Sequence, residues 1–358
     1  MPATPPIPLV QRAFVQPVAG GEANLVHDHP VARPSSLQPG QSLVKLSHAG
    51  VCHTDLGIKR NQFPNTPKPY LVGGHEGVGI VVAIGDHTVS NKIKVGQRVG
   101  IKYLARACLS CEMCLKGLEG HCAEYKTTGY DFDGTFCEYT VAYVDMVTSI
   151  PDELESGDAA VIMCAGVTVY SALLQSNTHI GDWIVILGAG GGLGHLAVQY
   201  AVAMGLRVVA VDTGLVKRDF CLSLGSEAWL DFKESSNLVS DIREMTQGGA
   251  HAVLVVAGGE AAYTTAAMYL RETGTLLVVG LPPGAILSIP VLLVAARGLT
   301  IRGVFLGSRQ QAVEAVNIAA TGRVKCTYTI RGLSELNDVY AEMEKGRIIG
   351  RVVLDITK

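Results

Sequence analysis

The passage that most narrows the possible folds is a wholly apolar run, Trp183–Leu187 (WIVIL). It passes at once into Gly188-Ala189-Gly190-Gly191-Gly192-Leu193-Gly194 and then into an alanine-rich stretch, His195–Met204. A short apolar run without alternation fits a strand buried on both faces of a parallel sheet. Parallel strands need a crossover, usually helical, and the alanine-rich stretch supplies one. Arg207–Val211 (RVVAV) reads as the next strand and ends at Asp212. Helices near Lys217–Leu224, Asn237–Met245 and Glu260–Leu270 then alternate with strands Ala252–Val256 and Thr275–Val279. This alternation predicts an α/β domain with a right-handed, doubly wound parallel sheet. Ligands of such sheets bind at the carboxyl ends of the strands.

The glycine run fills that position. Its glycines let the main chain approach a pyrophosphate, whose charge then faces the positive end of a helix. The strict G-x-G-x-x-G spacing is not met. With Gly191 and Gly194 in the second and third places, the first falls on Ala189 and Gly188 comes one residue early. Alone, such a near match also fits a plain tight turn. The strand before it, the helix after it and Asp212 closing the next strand favour a dinucleotide. A carboxylate at Asp212 can bond both ribose hydroxyls of NAD and repels the extra phosphate of NADP; its alternative is a solvated turn residue.

Upstream the texture is β-rich and punctuated by glycine: Ser42–His48 alternates, Gly77–Ile84 is β-branched and ends at Gly85-Asp86, and Val95–Gly100 fits a short strand. Cys108, Cys111, Cys114 and Cys122 stand as C-x2-C-x2-C-x7-C. Four thiolates this close suit a closed, tetrahedral structural zinc site. A nucleic-acid-binding zinc module is disfavoured by the lack of a basic, aromatic run nearby. An iron–sulfur cluster shares the C-x2-C-x2-C run but not the ferredoxin fourth cysteine and proline. Cys52, His75 and Cys164 are the ligand types of a catalytic zinc with one open position, and Thr54 places a hydroxyl beside it. Scattered over such a span they would more often be core residues, so the flanking motifs carry the reading.

A chain of 358 residues accommodates two domains. The net charge of −3 offers no electrostatic case for a nucleic-acid partner. No uninterrupted apolar run long enough for a membrane span is expected, nor a leader at MPATPPIPLVQRAF. Nine cysteines in a chain read as cytoplasmic point to metal sites and core thiols more than to disulfides. Residues 1 to 40 are expected to be partly irregular. Helices over Gln310–Ala320 and Glu335–Lys345 and a strand over Gly350–Asp355 are expected to complete the first domain, giving boundaries of 1–165 with 306–358, and 166–305.

With GVCHTDL, LVGGHEGVG, the cysteine quartet, CAGVTVY, GGLGHLAVQYA and EKGRIIGRVV in this order, the chain resembles the zinc-dependent alcohol dehydrogenases of the medium-chain dehydrogenase/reductase superfamily, nearest the fungal, yeast-type branch. The resemblance implies a GroES-like β-rich catalytic domain plus a Rossmann domain, two zincs per chain, NAD(H), a small-molecule alcohol or aldehyde and a homotetramer. It implies that Cys52, His75 and Cys164 bind the catalytic zinc and the quartet the structural one. Asp55 would orient the ligand imidazole, Glu76 would stand behind the metal, and Thr54 would accept the alcohol proton. His53 and Arg351 would lie near the cofactor phosphates, Asp212 and Lys217 at the adenosine ribose, and Thr168 beside the nicotinamide. Gly57 stands where the family usually has a second relay histidine, so the proton is expected to discharge into water, with His48 or His53 as other bases. Phe63 and Tyr103 stand where two tryptophans narrow the pocket, which predicts bulkier substrates than ethanol. The alternatives are an NADH-dependent reductase of one bulky pathway aldehyde and a catalytically silent NAD-sensing protein.

Overall fold

A computed structural model describes residues 6–89 and 92–358. The chain divides into two compact units. One contains the chain through Cys164, with Ser308–Ala320 and Tyr328–Lys358; the other contains Ala165–Gly307 and Thr321–Thr327.

In the second unit six parallel strands form one sheet. The strand Trp183–Leu187 lies between Arg207–Asp212 and Ala250–Val255, and every residue of it is buried. Ala228–Asp231 flanks on one side; Leu270–Val278 and then Thr300–Gly303 flank on the other. In chain order this is 3-2-1-4-5-6, the doubly wound order in which the first and fourth strands adjoin and their carboxyl ends open a crevice. The helices observed at Gly194–Ala203, Leu215–Ser223, Leu238–Met245 and Glu260–Met268 match the expected periodicity within a few residues. Ala228–Asp231, Thr300–Gly303 and the helix Val291–Arg297 escaped it. Thr300–Gly303 is exposed throughout, so no apolar pattern marks it, and Val291–Arg297 (VLLVAAR) is apolar on every side, so no helical period does.

The first unit is built on antiparallel strands. Its main sheet runs Thr148–Ser149, Arg98–Ile101, Glu76–Ile84, Gln41–Val51, Arg351–Asp355, Tyr328–Gly332, with Tyr139–Tyr143 also paired to Gln41–Val51. Arg351–Asp355 is an inner strand, antiparallel to Gln41–Val51 and parallel to Tyr328–Gly332. Residues 1 to 40 are more regular than expected. Val10–Gln16 and Asn24–Pro30 pair in an antiparallel hairpin, while the first five residues lie outside those described. The outer strand is half exposed, so its apolar side chains do not alternate cleanly.

One helical run needs separate mention. Ser156–Leu174 is long and apolar enough to cross a membrane by length and composition, although Gly157, Asp158 and Gly166 interrupt it, so it is not the unbroken apolar run whose absence the sequence predicts. Its most apolar window is 78% buried inside the protein, as in a core helix.

Candidate active site and metal centres

Cys52 ends an extended stretch and opens the helix His53–Lys59. Asp55, in the first turn, accepts the Cys52 N–H on Oδ2 at 2.8 Å and meets His75 Nδ1 with Oδ1 at 2.8 Å. Both side chains are buried. That contact fixes the imidazole: Nδ1 carries the proton and donates, so Nε2 presents a lone pair. Nε2 lies 3.3 Å from Cys164 Sγ. Cys164 itself sits in a π-helical turn, Ile162–Gly166, within the run Ser156–Leu174. Such one-residue bulges redirect a side chain out of the helical repeat.

The ligand atoms of Cys52, His75, Glu76 and Cys164 all fall within 4.8 Å of one another. For zinc held tetrahedrally at the usual N and S bond lengths, an N–S edge is about 3.6 Å. The residues therefore fit the ion. Cys52 is held well below the ordinary thiol range, chiefly by the Cys164 thiol that donates toward it, against the opposing effect of burial. A thiolate there needs a cation to offset it.

Glu76 lies behind His75, fully buried, and its carboxylate bonds Arg351. Burial pushes Glu76 up to about 7 against the pull of the guanidinium. Glu76 Oε2 and Arg351 Nε have no hydrogen-bond partner among the described residues. Arg351, expected at a cofactor phosphate, thus makes its visible ion pair with Glu76. Sequence reasoning missed Gly50, which sits across the strand pair from Glu76. A Cβ there would stand 2.0 Å from Glu76 Oε2, so only glycine admits the carboxylate. The signal was available as a glycine inside a strand pattern, which marks a close approach.

The cysteine quartet also converges, its sulfurs within 4.8 Å of one another. Cys108 Sγ lies 3.9 Å from Cys114 and 3.6 Å from Cys122. A zinc tetrahedron of thiolates has edges of about 3.8 Å, whereas a disulfide would bring sulfurs to about 2 Å. Main-chain N–H groups of Ser110 and Cys111 hold Cys108 down to about 6, so a thiolate forms readily. Inside this lobe buried Glu119 pairs with Arg309 at 2.8 Å, and Lys102 is buried close by, its ammonium without a hydrogen-bond partner among the described residues.

Of the other expected residues, His53 is exposed and Thr54 half-buried. Tyr103 is largely buried, its ring edge-on to His75 at 5.1 Å. Phe63 is half-buried against the edge of Tyr130 and covers Gly57. The Gly57 α-carbon thus faces an aromatic ring. His48 pairs across the sheet with Asp355, and His48 Nδ1 engages Ser47.

In the second unit Gly188, with φ of +82°, turns the chain off the strand. A Cβ on Gly194 would stand 2.0 Å from the Gly188 carbonyl oxygen, so this helix can start so close only at glycine. Asp212 is buried. Its Oδ2 accepts the Gly190 N–H at 3.0 Å; Oδ1 accepts the Thr213 N–H at 2.9 Å and Lys217 Nζ at 2.8 Å. Gly190 was not singled out from the sequence, yet its bare α-carbon makes room for the Lys217 stem, 2.9 Å from where a Cβ would be. Gly191 and Gly192 complete the loop, and Thr168 is half-buried on Val167–Leu174.

A doubly wound sheet with a glycine loop and an acid closing its second strand, joined in one chain to a β-rich unit with two zinc-type ligand clusters, defines a zinc-binding dehydrogenase. Residues 38–152 match the alcohol dehydrogenase GroES-like domain and residues 192–321 the zinc-binding dehydrogenase domain. Alcohol dehydrogenase 1 of Emericella nidulans is 43% identical over 98% of this chain and 99% of its own length. An alcohol dehydrogenase of Schizosaccharomyces pombe is 41% identical over the same shares. Among solved structures, acetophenone reductase from Geotrichum candidum, in complex with NAD, superposes with a TM-score of 0.84 at 29% identity over 98% of each chain. A cinnamyl alcohol dehydrogenase from Sorghum bicolor superposes at 0.86 with 27% identity, over 97% of this chain and 98% of that one. The chain belongs to the zinc-binding alcohol dehydrogenases of the medium-chain superfamily, and its reaction is the zinc- and NAD(H)-dependent interconversion of an alcohol and its aldehyde. Neither a dedicated pathway-aldehyde reductase nor a silent NAD sensor is favoured by these matches.

Proposed function

We propose that Cys52, His75 and Cys164 hold the catalytic zinc, that Cys108, Cys111, Cys114 and Cys122 hold a structural one, and that the substrate is a primary alcohol or its aldehyde. The observation that carries this is the 3.3 Å approach of His75 Nε2 to Cys164 Sγ, with Nδ1 already committed to Asp55. When bound, zinc supplies Lewis-acid polarisation of the substrate oxygen and NAD(H) accepts or donates the hydride. The chain's own groups do the rest. Thr54, in the first turn of the helix that Cys52 opens, takes the hydroxyl proton. Asp55 keeps His75 in the tautomer whose Nε2 is a ligand. Glu76, part-neutralised by Arg351, stands ready as a fourth donor behind the site.

Gly188, Gly191, Gly192 and Gly194 admit the pyrophosphate, and His53 and Arg351 are the first unit's candidates for the cofactor phosphates. Asp212 receives the ribose hydroxyls beside Lys217, and Thr168 borders the nicotinamide. Phe63 and Tyr103 border the substrate pocket. A cytosolic location is supported by nine unpaired cysteines. Assembly as a homotetramer is supported by Thr300–Gly303, the outer strand of the six-stranded sheet and exposed throughout, and by the exposed apolar side chains of Leu281, Val291 and Leu292 in the same unit. A bare edge and exposed apolar side chains are surfaces that pair. The test is a panel of primary alcohols and aldehydes of rising bulk with NAD(H), before and after chelation. Chelator-sensitive turnover that favours substrates larger than ethanol is expected; turnover indifferent to metal removal refutes the assignment.

A further inference from the structure

The glycine loop is held from behind by two side chains that the reaction does not call on. His195 and Gln199 lie one helical turn apart on Gly194–Ala203, so they share a face, and both are buried. His195 Nδ1 is 3.0 Å from the Gly191 carbonyl oxygen, and His195 Nε2 accepts the Thr327 N–H at 3.1 Å. An imidazole that accepts on Nε2 and faces a carbonyl with Nδ1 must carry its proton on Nδ1. The ring is therefore a neutral bridge with a determined tautomer. It packs on Phe220, at 6.0 Å between centroids, from the helix that also carries Lys217.

Gln199 repeats the grip two residues earlier on the same segment. Gln199 Nε2 donates to the Lys325 carbonyl at 2.9 Å, and Gln199 Oε1 accepts the Lys325 N–H at 2.9 Å. One amide thus satisfies both main-chain groups of Lys325, as a neighbouring strand would. Gln199 Nε2 also donates to the His195 main-chain carbonyl at 3.0 Å, which fixes the amide against the helix one turn back. The segment Thr321–Thr327 belongs to the second unit although the chain on either side of it belongs to the first. Buried Val324 anchors it.

The consequence falls on the Gly191 carbonyl. It accepts both the His195 main-chain N–H and the His195 ring, each at 3.0 Å. Both its lone pairs are turned into the protein. The Gly192 and Leu193 N–H groups are left without a protein acceptor among the described residues, at the end of a helix where an anion is stabilised. A peptide free to rotate here would present its carbonyl oxygen to the ligand part of the time.

We propose that His195 and Gln199 are positioning residues for dinucleotide binding: they brace the Gly188–Gly194 loop against the Lys325–Thr327 main chain and hold its N–H groups toward the ligand without touching it. This role rests on the glycine loop being the dinucleotide site. Preorganisation of this kind is read in affinity, because ordering that is already present need not be supplied on binding.

The test titrates NADH into zinc-replete His195→Ala and Gln199→Ala by fluorescence and compares KM for NAD with kcat. Each variant is expected to raise the NADH Kd and the KM for NAD by roughly three- to tenfold, the equivalent of about one net hydrogen bond. The expected change in kcat is under about twofold on the same grounds, since neither group meets the reacting atoms. His195→Asn, which keeps an N–H within reach of Gly191, is expected to recover part of the loss, as no merely structural filler would. Gly194→Val is the control for the underlying site. If it abolishes NADH binding while both alanine variants bind as tightly as the parent, the brace is overturned. If Gly194→Val binds NADH normally, the loop itself is misassigned. Should the alanine variants fail to fold, His195→Phe keeps a ring of similar size without either nitrogen; an unchanged Kd there overturns the proposal equally.

Discussion

Replacing Gly57 tests how the proton leaves. Gly57 lies within the helix His53–Lys59, and a Cβ on it would stand 3.1 Å from Phe63 Cε2, 3.7 Å from Phe63 Cζ and 3.6 Å from Gln62 Oε1. A methyl group there meets the ring a few tenths of an ångström too close, while alanine gains about 1 kcal/mol of helix propensity over glycine. Gly57→Ala is therefore expected to be close to neutral. A histidine has to move the Phe63 ring, and overpacking of this size costs about 1–3 kcal/mol. Gly57→His alone should lower stability and leave alcohol oxidation near neutral pH unimproved, because the displaced ring and the imidazole compete for one space. In Phe63→Ala the space is free. The double variant should be more stable than the two single changes summed, with a coupling of about 0.5–3 kcal/mol for groups in contact. It should also raise oxidation near neutral pH, by less than the about 10²-fold a general base gives when proton transfer alone limits the rate. Urea unfolding at matched zinc content supplies the energies, and pH–rate profiles with and without imidazole supply the chemistry. Energies that add within about 0.5 kcal/mol, or a single histidine variant as fast as the double, refute the steric reasoning.

Cys164→Ala should cost one of two zincs and nearly all activity in a folded protein, whereas Cys111→Ala should cost the other zinc and lower thermal stability, because structural zinc contributes directly to folding; elemental analysis beside melting curves separates them. Asp212→Gly should weaken NAD and narrow its preference over NADP, and the loss should include loop order, since Asp212 also caps the Gly190 and Thr213 N–H groups; kcat/KM with both cofactors measures this. Burial holds Lys102 down to about 8, against the pull of Glu119. Between about pH 8 and the ordinary lysine value of 10.5 the unfolded chain binds more protons than the folded one, so this group makes stability rise with pH by at most about 1.4 kcal/mol per unit. Lys102→Met should flatten that rise and stabilise the protein below pH 8, as denaturant melts from pH 7 to 10.5 would register.

The sheet of the second unit was legible because burial on both faces writes an unbroken apolar run. Trp183–Leu187 leaves no second interpretation once glycines and an alanine-rich helix follow. All seven thiolate and imidazole candidates could be named because side chains that bind metals are rare enough to be noticed. What escaped notice were residues that act by having little or nothing to present. Gly50 matters for the carboxylate it lets in and Gly190 for the lysine stem it clears, and no residue type announces a neighbour. Phe63 over Gly57 was invisible for a related reason. Sequence shows that a histidine is missing but cannot show which ring has moved into its place. The hairpin Val10–Gln16 with Asn24–Pro30 was lost because half its outer strand faces solvent, which blurs the period of two.

The inner position of Arg351–Asp355 has a consequence for how the protein is made. Every thiolate and imidazole of both clusters has left the ribosome by the time Cys164 emerges, but the strand that separates Gln41–Val51 from Tyr328–Gly332 follows the whole second unit. At typical synthesis rates that gap lasts roughly ten to forty seconds. Throughout it, the two ligand clusters stand in a sheet with an empty row, and Glu76 lacks the guanidinium that later pairs with it. The second unit has time to fold first. The nascent first unit meanwhile has an open strand edge along Gln41–Val51, free to pair until its last neighbour arrives.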